Sequence, residues 1–268
     1  MDKINDIWKD NIQWIIENYQ AGWNQVALAA EFQNATNTTI RRILKRNNIE
    51  IRGNGIDQRK VKHNPFEDLN SPKVQYWLGV FAADGCVYKN RIELGSARIE
   101  HLKQYKMFLG GKDVKILSYT HSKYTTSTCY SIKFSNTDVA EYLTNLGITA
   151  VKSHTLKINF PITWDFIRGA MDGDGCIMQC KKTKKEVVRL VIKIATASVM
   201  YKDQLVAFLT DEGMEPTVYT TKLGLYSIDV CKQAKVRQMY FNMYKHAPEY
   251  FIADKYKRFG EIFGEIQR

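Results

Sequence analysis

Tyr76-Trp77-Leu78-Gly79-Val80-Phe81-Ala82-Ala83-Asp84-Gly85 and Phe166-Ile167-Arg168-Gly169-Ala170-Met171-Asp172-Gly173-Asp174-Gly175 are two versions of one apolar segment, both ending in Asp-Gly and set 90 residues apart. Each predicts a buried helix. Small residues recur four apart, at Gly79 and Ala83 and at Gly169 and Gly173, so each helix carries a groove shallow enough for another backbone to enter. A glycine inside a helix costs roughly 1 kcal/mol relative to alanine. Gly79, Gly169 and Gly173 therefore predict that the two segments pack tightly on each other. Gly85 and Gly175 are expected as left-handed C-terminal caps.

Outward from these segments the resemblance of the chain to itself continues. Ala83-Asp84-Gly85-Cys86-Val87 returns as Gly173-Asp174-Gly175-Cys176-Ile177, and Ile92-Glu93-Leu94-Gly95-Ser96-Ala97 as Ile192-Lys193-Ile194-Ala195-Thr196-Ala197. Phe108-Leu109 matches Phe208-Leu209, and Tyr130-Ser131-Ile132 matches Tyr226-Ser227-Ile228. The offset moves from 90 to 100 and then to 96, with each change falling in an expected hairpin loop. Two copies of one unit follow, each reading helix, two strands, helix, two strands, helix; the period is too long for a solenoid. The fold class is α+β, a pseudo-symmetric tandem αββαββα repeat with halves at 66–160 and 161–268.

Alternation assigns the strand faces. Ile92 and Leu94 face a core while Arg91 and Glu93 face outward; Leu190, Ile192 and Ile194 face inward while Arg189 and Lys193 face outward. The longer hairpin of the second copy carries Lys181, Lys182, Lys184 and Lys185 at its tip.

Ahead of the repeat, three short helices are expected: Trp8 to Tyr19, Gln25 to Phe32 and Thr38 to Asn47. The third begins after a turn at Gln33-Asn34-Ala35-Thr36, takes Asn37 as its cap, and sets Ile40, Ile43 and Leu44 against a basic face of Arg41, Arg42, Lys45 and Arg46. Asn37, Thr38 and Thr39 stand at its start, where a recognition helix meets base edges or phosphates. Residues 1–52 thus resemble a small all-α helix-turn-helix domain. Behind it, Arg52, Arg59, Lys60 and Lys62 share a stretch with Gly53, Asn54 and Gly55, which reads as a basic flexible linker over 53–65. Ser71 is a candidate cap before Pro72 at the first helical position of the repeat.

The chain has 268 residues, 44% of them hydrophobic and 5 of them Pro, which excludes wholesale disorder and collagen-like architecture. It contains no run of 18 apolar residues, and Met1 to Asp10 has no signal-peptide pattern. A cytoplasmic protein with no membrane partner is expected, in a bacterial or phage-infected cell or an organelle. The 5 cysteines include no C-x-x-C pair, consistent with reduced thiols. Lys plus Arg number 39 against 28 Asp plus Glu, a net charge of +11, which points to a polyanionic partner, nucleic acid first.

The chemistry lies in the acids. A carboxylate at a helix C-terminus faces the negative end of the helix dipole, unfavourable by about 0.3–1 kcal/mol. Pairing the helices would also bring Asp84 and Asp174 together as like charges. Two such carboxylates with exposed backbone carbonyls form a hard oxygen site suited to Mg2+, with Mn2+ or Ca2+ able to occupy it, and suited to phosphodiester hydrolysis. A hairpin turn would explain one isolated Asp-Gly, but not its repetition behind spaced small residues. A calcium loop starting at Asp172 fails because Cys176, Ile177 and Thr183 occupy positions that require an oxygen ligand, Gly and Glu.

The two segments resemble the LAGLIDADG motif, and with the module in front the chain is similar to the LAGLIDADG homing endonucleases over about residues 66–268. The resemblance implies a monomer whose motif helices form the central interface, with two curved sheets saddling double-stranded DNA. It implies metal binding by Asp84 and Asp174, with the carbonyls of Ala83 and Gly173, and basic groups nearby at Lys152 and Lys255. Ala82 departs from the pattern where the second motif keeps Asp172, and Arg168 is unusual. On this reading the outward Arg91, Glu93, Arg189 and Lys193 read bases, while the lysines of the second hairpin reach phosphates. Arg41, Arg42, Lys45, Arg59 and Lys60 extend the contact. The expected function is a site-specific, Mg2+-dependent DNA endonuclease acting at a long asymmetric target, with no obligate protein partner. A cleavage-inactive regulator and an intron RNA maturase are the alternatives. Retention of both acids speaks against the first. The helical module speaks against the second, because the A-form major groove is too narrow for a helix.

Overall fold

The chain divides into two units, Met1–Gln58 and Arg59–Arg268. The computed structural model describes residues 8–32, 35–51, 61, 63–110, 114–120, 128–180, 189–246 and 249–264. Arg59, Lys60, Lys181, Lys182, Lys184 and Lys185 lie outside the described residues.

In the first unit a 3-10 turn (Lys9–Asn11) leads into α1 (Ile12–Gln20), followed by α2 (Gln25–Ala30) and α3 (Asn37–Arg46). Asn24 caps α2, its side chain accepting from Val26 N and Ala27 N at 3.0 and 2.8 Å. The cap of α3 is Thr36 rather than the expected Asn37, which is the first helical residue. Thr36 Oγ1 accepts from Thr39 N at 3.2 Å, and Thr39 Oγ1 accepts from Thr36 N at 3.3 Å, a reciprocal arrangement that Asn37, one position on, cannot make. Ile15, Tyr19, Leu28, Ile40, Ile43 and Leu44 form the core. Arg41, Arg42 and Lys45 are exposed on the far side of α3.

The second unit begins its core before the repeat. Val61 is buried and Asn136 Nδ2 donates to its carbonyl at 3.0 Å, so the segment expected as a free linker to residue 65 is already anchored at Val61. The first copy then runs α4 (Pro72–Asp84), β1 (Gly85–Tyr88), β2 (Arg91–Ser96), α5 (Ile99–Phe108), β3 (Ile116–Thr120), β4 (Thr128–Ser135) and α6 (Thr137–Asn145). The second runs α7 (Trp164–Gly173), β5 (Gly175–Cys180), β6 (Arg189–Thr196), α8 (Val199–Asp211), β7 (Thr217–Thr220), β8 (Tyr226–Val230) and α9 (Gln233–Tyr244), and α10 (Ala253–Phe263) follows. Each copy folds its strands into an antiparallel sheet of the same order, β1-β2-β4-β3 and β5-β6-β8-β7. This is the expected tandem αββαββα architecture. Ile92, Leu94, Leu190, Ile192 and Ile194 are buried as alternation required.

Helices α4 and α7 form the seam between the copies. A Cβ on Gly79 would lie 2.1 Å from the carbonyl oxygen of Phe166, and one on Gly169 would lie 1.9 Å from that of Tyr76. The two backbones touch at these points, and any side chain would part them. Gly85 and Gly175 serve a different purpose from the expected one. Neither has a positive φ, and Gly85 is extended at φ −76°, ψ 152°. The chain folds back so closely that a Cβ on Gly85 would meet Phe81 at 2.2 Å and one on Gly175 would meet Met171 at 2.5 Å.

Arg168, unusual in sequence, is 3% exposed and ties α7 to the C-terminal part of the chain. Its guanidinium donates to Asp165 Oδ1 at 2.6 Å, to Met243 O at 2.7 Å and to Tyr250 O at 3.2 Å, and it lies over the Tyr76 ring. A buried charge is tolerated when its donors are spent in this way.

Candidate active site

Both motif helices end at the same place. Ala83 and Gly173 meet across the seam: a Cβ on Gly173 would be 2.3 Å from Ala83 Cβ and 3.2 Å from Asp84 Oδ2. The Asp84 carboxylate therefore reaches over the residue that precedes Asp174. Both carboxylates are open to solvent on one side, yet lost hydration and the charge of Asp174 push Asp84 up to about 6. Lost hydration raises Asp174 as well, and Lys152 and Lys255 oppose the rise at both acids. Two acids that resist joint ionisation, at helix ends whose last carbonyls have no helical donor, fit a hard divalent cation. Among the described residues no third His, Cys, Asp or Glu joins them. That donor set suits an ion that keeps water and takes substrate oxygens.

The two expected lysines occupy equivalent positions. Lys152 Nζ donates to Gly85 O, and Lys255 Nζ donates to Gly175 O at 2.8 Å, Asp172 O at 2.9 Å and Met171 O. One ammonium thus sits beside each Asp-Gly turn, although Lys152 comes from a loop and Lys255 from α10. Burial lowers the pKa of both, against the raising pull of the nearby acids. A cavity of about 220 Å³ opens beside Asp174, lined by Ala82, Ala83, Lys152, Ser153 and Tyr201 among others. A second, of about 570 Å³, is lined by Lys255, Cys176, Arg98, Lys257 and Arg258 among others.

A buried network next to the site went unread in the sequence. Tyr76 Oη on α4 donates to Asp172 Oδ2 on α7 at 2.8 Å, and Ile252 N donates to the same oxygen at 2.8 Å. His101 Nε2 lies 2.8 Å from Tyr76 Oη, and since that hydroxyl spends its proton on Asp172, His101 must donate through Nε2–H. At the equivalent positions of the other copy stand Phe166, Ala82 and Tyr201. The signal was available: Ala82 replaces an acid at the same offset where Phe166 replaces Tyr76's hydroxyl.

Burial, with the positive charges of Arg98 and Lys255, lowers the His101 pKa from 6.5 to about 4. The unfolded chain then binds the more protons between those values, so the stability held above pH 6.5 is lost as pH falls through about 4. Asp84 works oppositely in metal-free protein: raised to about 6, it contributes stability that is present below 3.8 and lost as pH rises through 6. His101→Gln keeps an N–H donor toward Tyr76 without titrating. We expect it to shift the difference in unfolding free energy between pH 7 and pH 4.5 by about 2–3 kcal/mol in favour of pH 4.5, measured by urea titration in EDTA. An unchanged difference would show that the fold does not lower the His101 pKa.

Other expected residues fall on the outward sheet faces. Arg91 and Arg189 are exposed, and Glu93 and Lys193 are half-buried. Asn37 and Thr38 are exposed at the start of α3, while the Thr39 hydroxyl is engaged with Thr36.

The LAGLIDADG-like domain family matches residues 71–147, the first copy from the start of α4 to just past the end of α6. Among solved structures, the meganuclease I-SmaMI bound to uncleavable DNA superposes with a TM-score of 0.51 at 12% identity, covering 71% of this chain and 88% of that one. A lysine-to-alanine mutant of I-SmaMI gives 0.52 at 11% identity, covering 71% and 89%. At this level of identity the likeness establishes the fold. No curated protein matches the sequence.

Proposed function

We propose that the chain is a site-specific, Mg2+-dependent DNA endonuclease of the LAGLIDADG homing type, cutting both strands of a long asymmetric duplex as a monomer. The observation that carries this is the convergence of Asp84 and Asp174 at the end of a glycine seam, each beside a lysine fixed by backbone carbonyls. A hard divalent ion held by the two carboxylates and the carbonyls of Ala83 and Gly173 would supply Lewis-acid polarisation of a phosphoryl oxygen and a more acidic water. Lys152 and Lys255 place fixed positive charge where a phosphodiester gains negative charge on attack. They are pre-oriented by Gly85 O and Gly175 O, so little reorganisation is needed. I-SmaMI, which shares the fold, is bound to uncleavable DNA in two solved structures, and in this chain a duplex would lie along the outward sheet faces. The net charge of +11 suits that partner. The basic face of α3 would add a second contact, raising the effective concentration of each module at its site.

The test is incubation of the full chain with a randomised duplex library, with Mg2+ and with EDTA, followed by sequencing of cut ends and of bound uncut DNA. Mg2+-dependent ends at one long sequence are expected. Specific retention without cutting would replace the endonuclease with a regulator, and neither binding nor cutting would overturn the duplex-DNA reading.

A further inference from the structure

The outward sheet rows nearest the acids carry the same charges in reversed order. In the first sheet, counting from the glycine after Asp84, Cys86 pairs with Glu93 and Glu93 with Lys133. In the second, counting from the glycine after Asp174, Cys176 pairs with Lys193 and Lys193 with Asp229. The rows are equivalent by register alone. The carboxylate stands on β2 and the ammonium on β4 in one copy, while the ammonium stands on β6 and the carboxylate on β8 in the other.

Both pairs are formed. Lys133 Nζ lies 2.8 Å from Glu93 Oε1, and Arg91 donates to Glu93 Oε2 at 2.7 Å. Lys193 donates to Asp229 Oδ2, and Ser227 Oγ donates to Asp229 Oδ1 at 2.5 Å. Each pair is neutral, so the reversal does nothing for overall attraction to a polyanion. It changes which group meets solvent. The Glu93 and Lys133 side chains are 26% and 34% exposed, whereas Lys193 is 32% exposed and Asp229 only 4%. The first row offers an acceptor flanked by donors; the second offers a single donor whose counter-charge is hidden.

We propose that this row reads one base pair in each half of the duplex target, Lys193 selecting guanine and Glu93 selecting cytosine at the position related by the internal symmetry. The inference rests on the duplex-DNA reading above. In the major groove guanine presents O6 and N7 as acceptors, and cytosine presents its N4 amine as a donor. An ammonium held by Asp229 has already given up much of its side-chain freedom, which favours one acceptor geometry over a diffuse phosphate contact. Asp229 is a positioning residue: it meets Lys193 and Ser227 rather than a base. The two halves of the target are then unlike at this pair, and a palindrome is disfavoured there.

The test uses the full chain carrying Asp174→Asn, so that binding is read without cutting, and sequences the duplexes retained from a randomised library. Lys193→Gln is expected to relax preference at a single base pair by about tenfold. Asp229→Asn should weaken the same preference several-fold without moving it. Glu93→Lys with Lys133→Asp should convert the related pair in the other half from cytosine to guanine and leave the remaining positions unchanged. Preferences that stay put in all three variants, or that shift at many positions, overturn the assignment. A parent protein that retains no defined sequence sinks the duplex-DNA reading and this inference with it.

Discussion

Asp84→Asn and Asp174→Asn should each reduce cutting by about a thousandfold or more, equivalent to roughly 4 kcal/mol of transition-state stabilisation, while duplex affinity stays within a few-fold of the parent. Each substitution keeps the side-chain volume and removes one of the two anionic ligands. Neither acid belongs to the core, and each stands at the open end of the seam, so loss of fold is not the expected route to inactivity. The metal-free proteins provide the control. Asp84 is pushed up to about 6 by lost hydration and by Asp174, so the ionised pair destabilises the fold near pH 7.5. Each Asn variant should therefore melt at or above the parent temperature in EDTA, and should lose the rise in melting temperature that Mg2+ gives the parent. Cutting that persists in either variant removes that acid from the site.

The second large effect is on stability. Gly169→Ala should destabilise the chain by about 3 kcal/mol or more, at or beyond the usual upper end for overpacking, because the new methyl would sit 1.9 Å from a backbone oxygen that cannot rotate away. Gly79→Ala should act alike, with Phe166 O at 2.1 Å. At this domain size such a loss corresponds to a fall in melting temperature of roughly 6–12 °C. Gly95→Ala is the internal comparison: its nearest contacts would be 3.6 Å from Tyr119 Oη and 3.7 Å from Tyr130 O, ordinary van der Waals distances. It should melt within a few degrees of the parent. Equal melting of all three variants would mean that the helices do not approach as described.

Much of this arrangement is legible in the sequence. Repetition of the apolar segment, small residues four apart and period-two alternation around Ile92 and Ile192 are local patterns, and they specified the tandem fold and the meeting of the two acids. The parts that escaped depend on partners far away in sequence. Arg168 reads as an oddity until Met243 O and Tyr250 O accept its hydrogen bonds. Tyr76, Asp172 and Ile252 N become one network only when the helices are paired and the C-terminal loop closes over them. The caps show the same limit on a smaller scale. Asp-Gly after a helix resembles a left-handed cap, but at Gly85 the demand comes from the Phe81 ring. Thr36 outcompetes Asn37 because Thr39 can return its hydrogen bond.

Tyr76 bonds Asp172 across the seam, whereas the equivalent residues Phe166 and Ala82 have no polar group to offer, so the two copies are not interchangeable. Two first copies facing each other would set both Tyr76 hydroxyls against alanine methyls. Two second copies would set both Asp172 carboxylates against phenylalanine rings. Each lost bond would weaken the seam by about 1–3 kcal/mol, more at the carboxylates, with His101 and Ile252 N left as the remaining partners of Tyr76 and Asp172. Only the mixed partnership makes the Tyr76–Asp172 bond. A symmetric dimer of either half would lack the side chain that its sister supplies here.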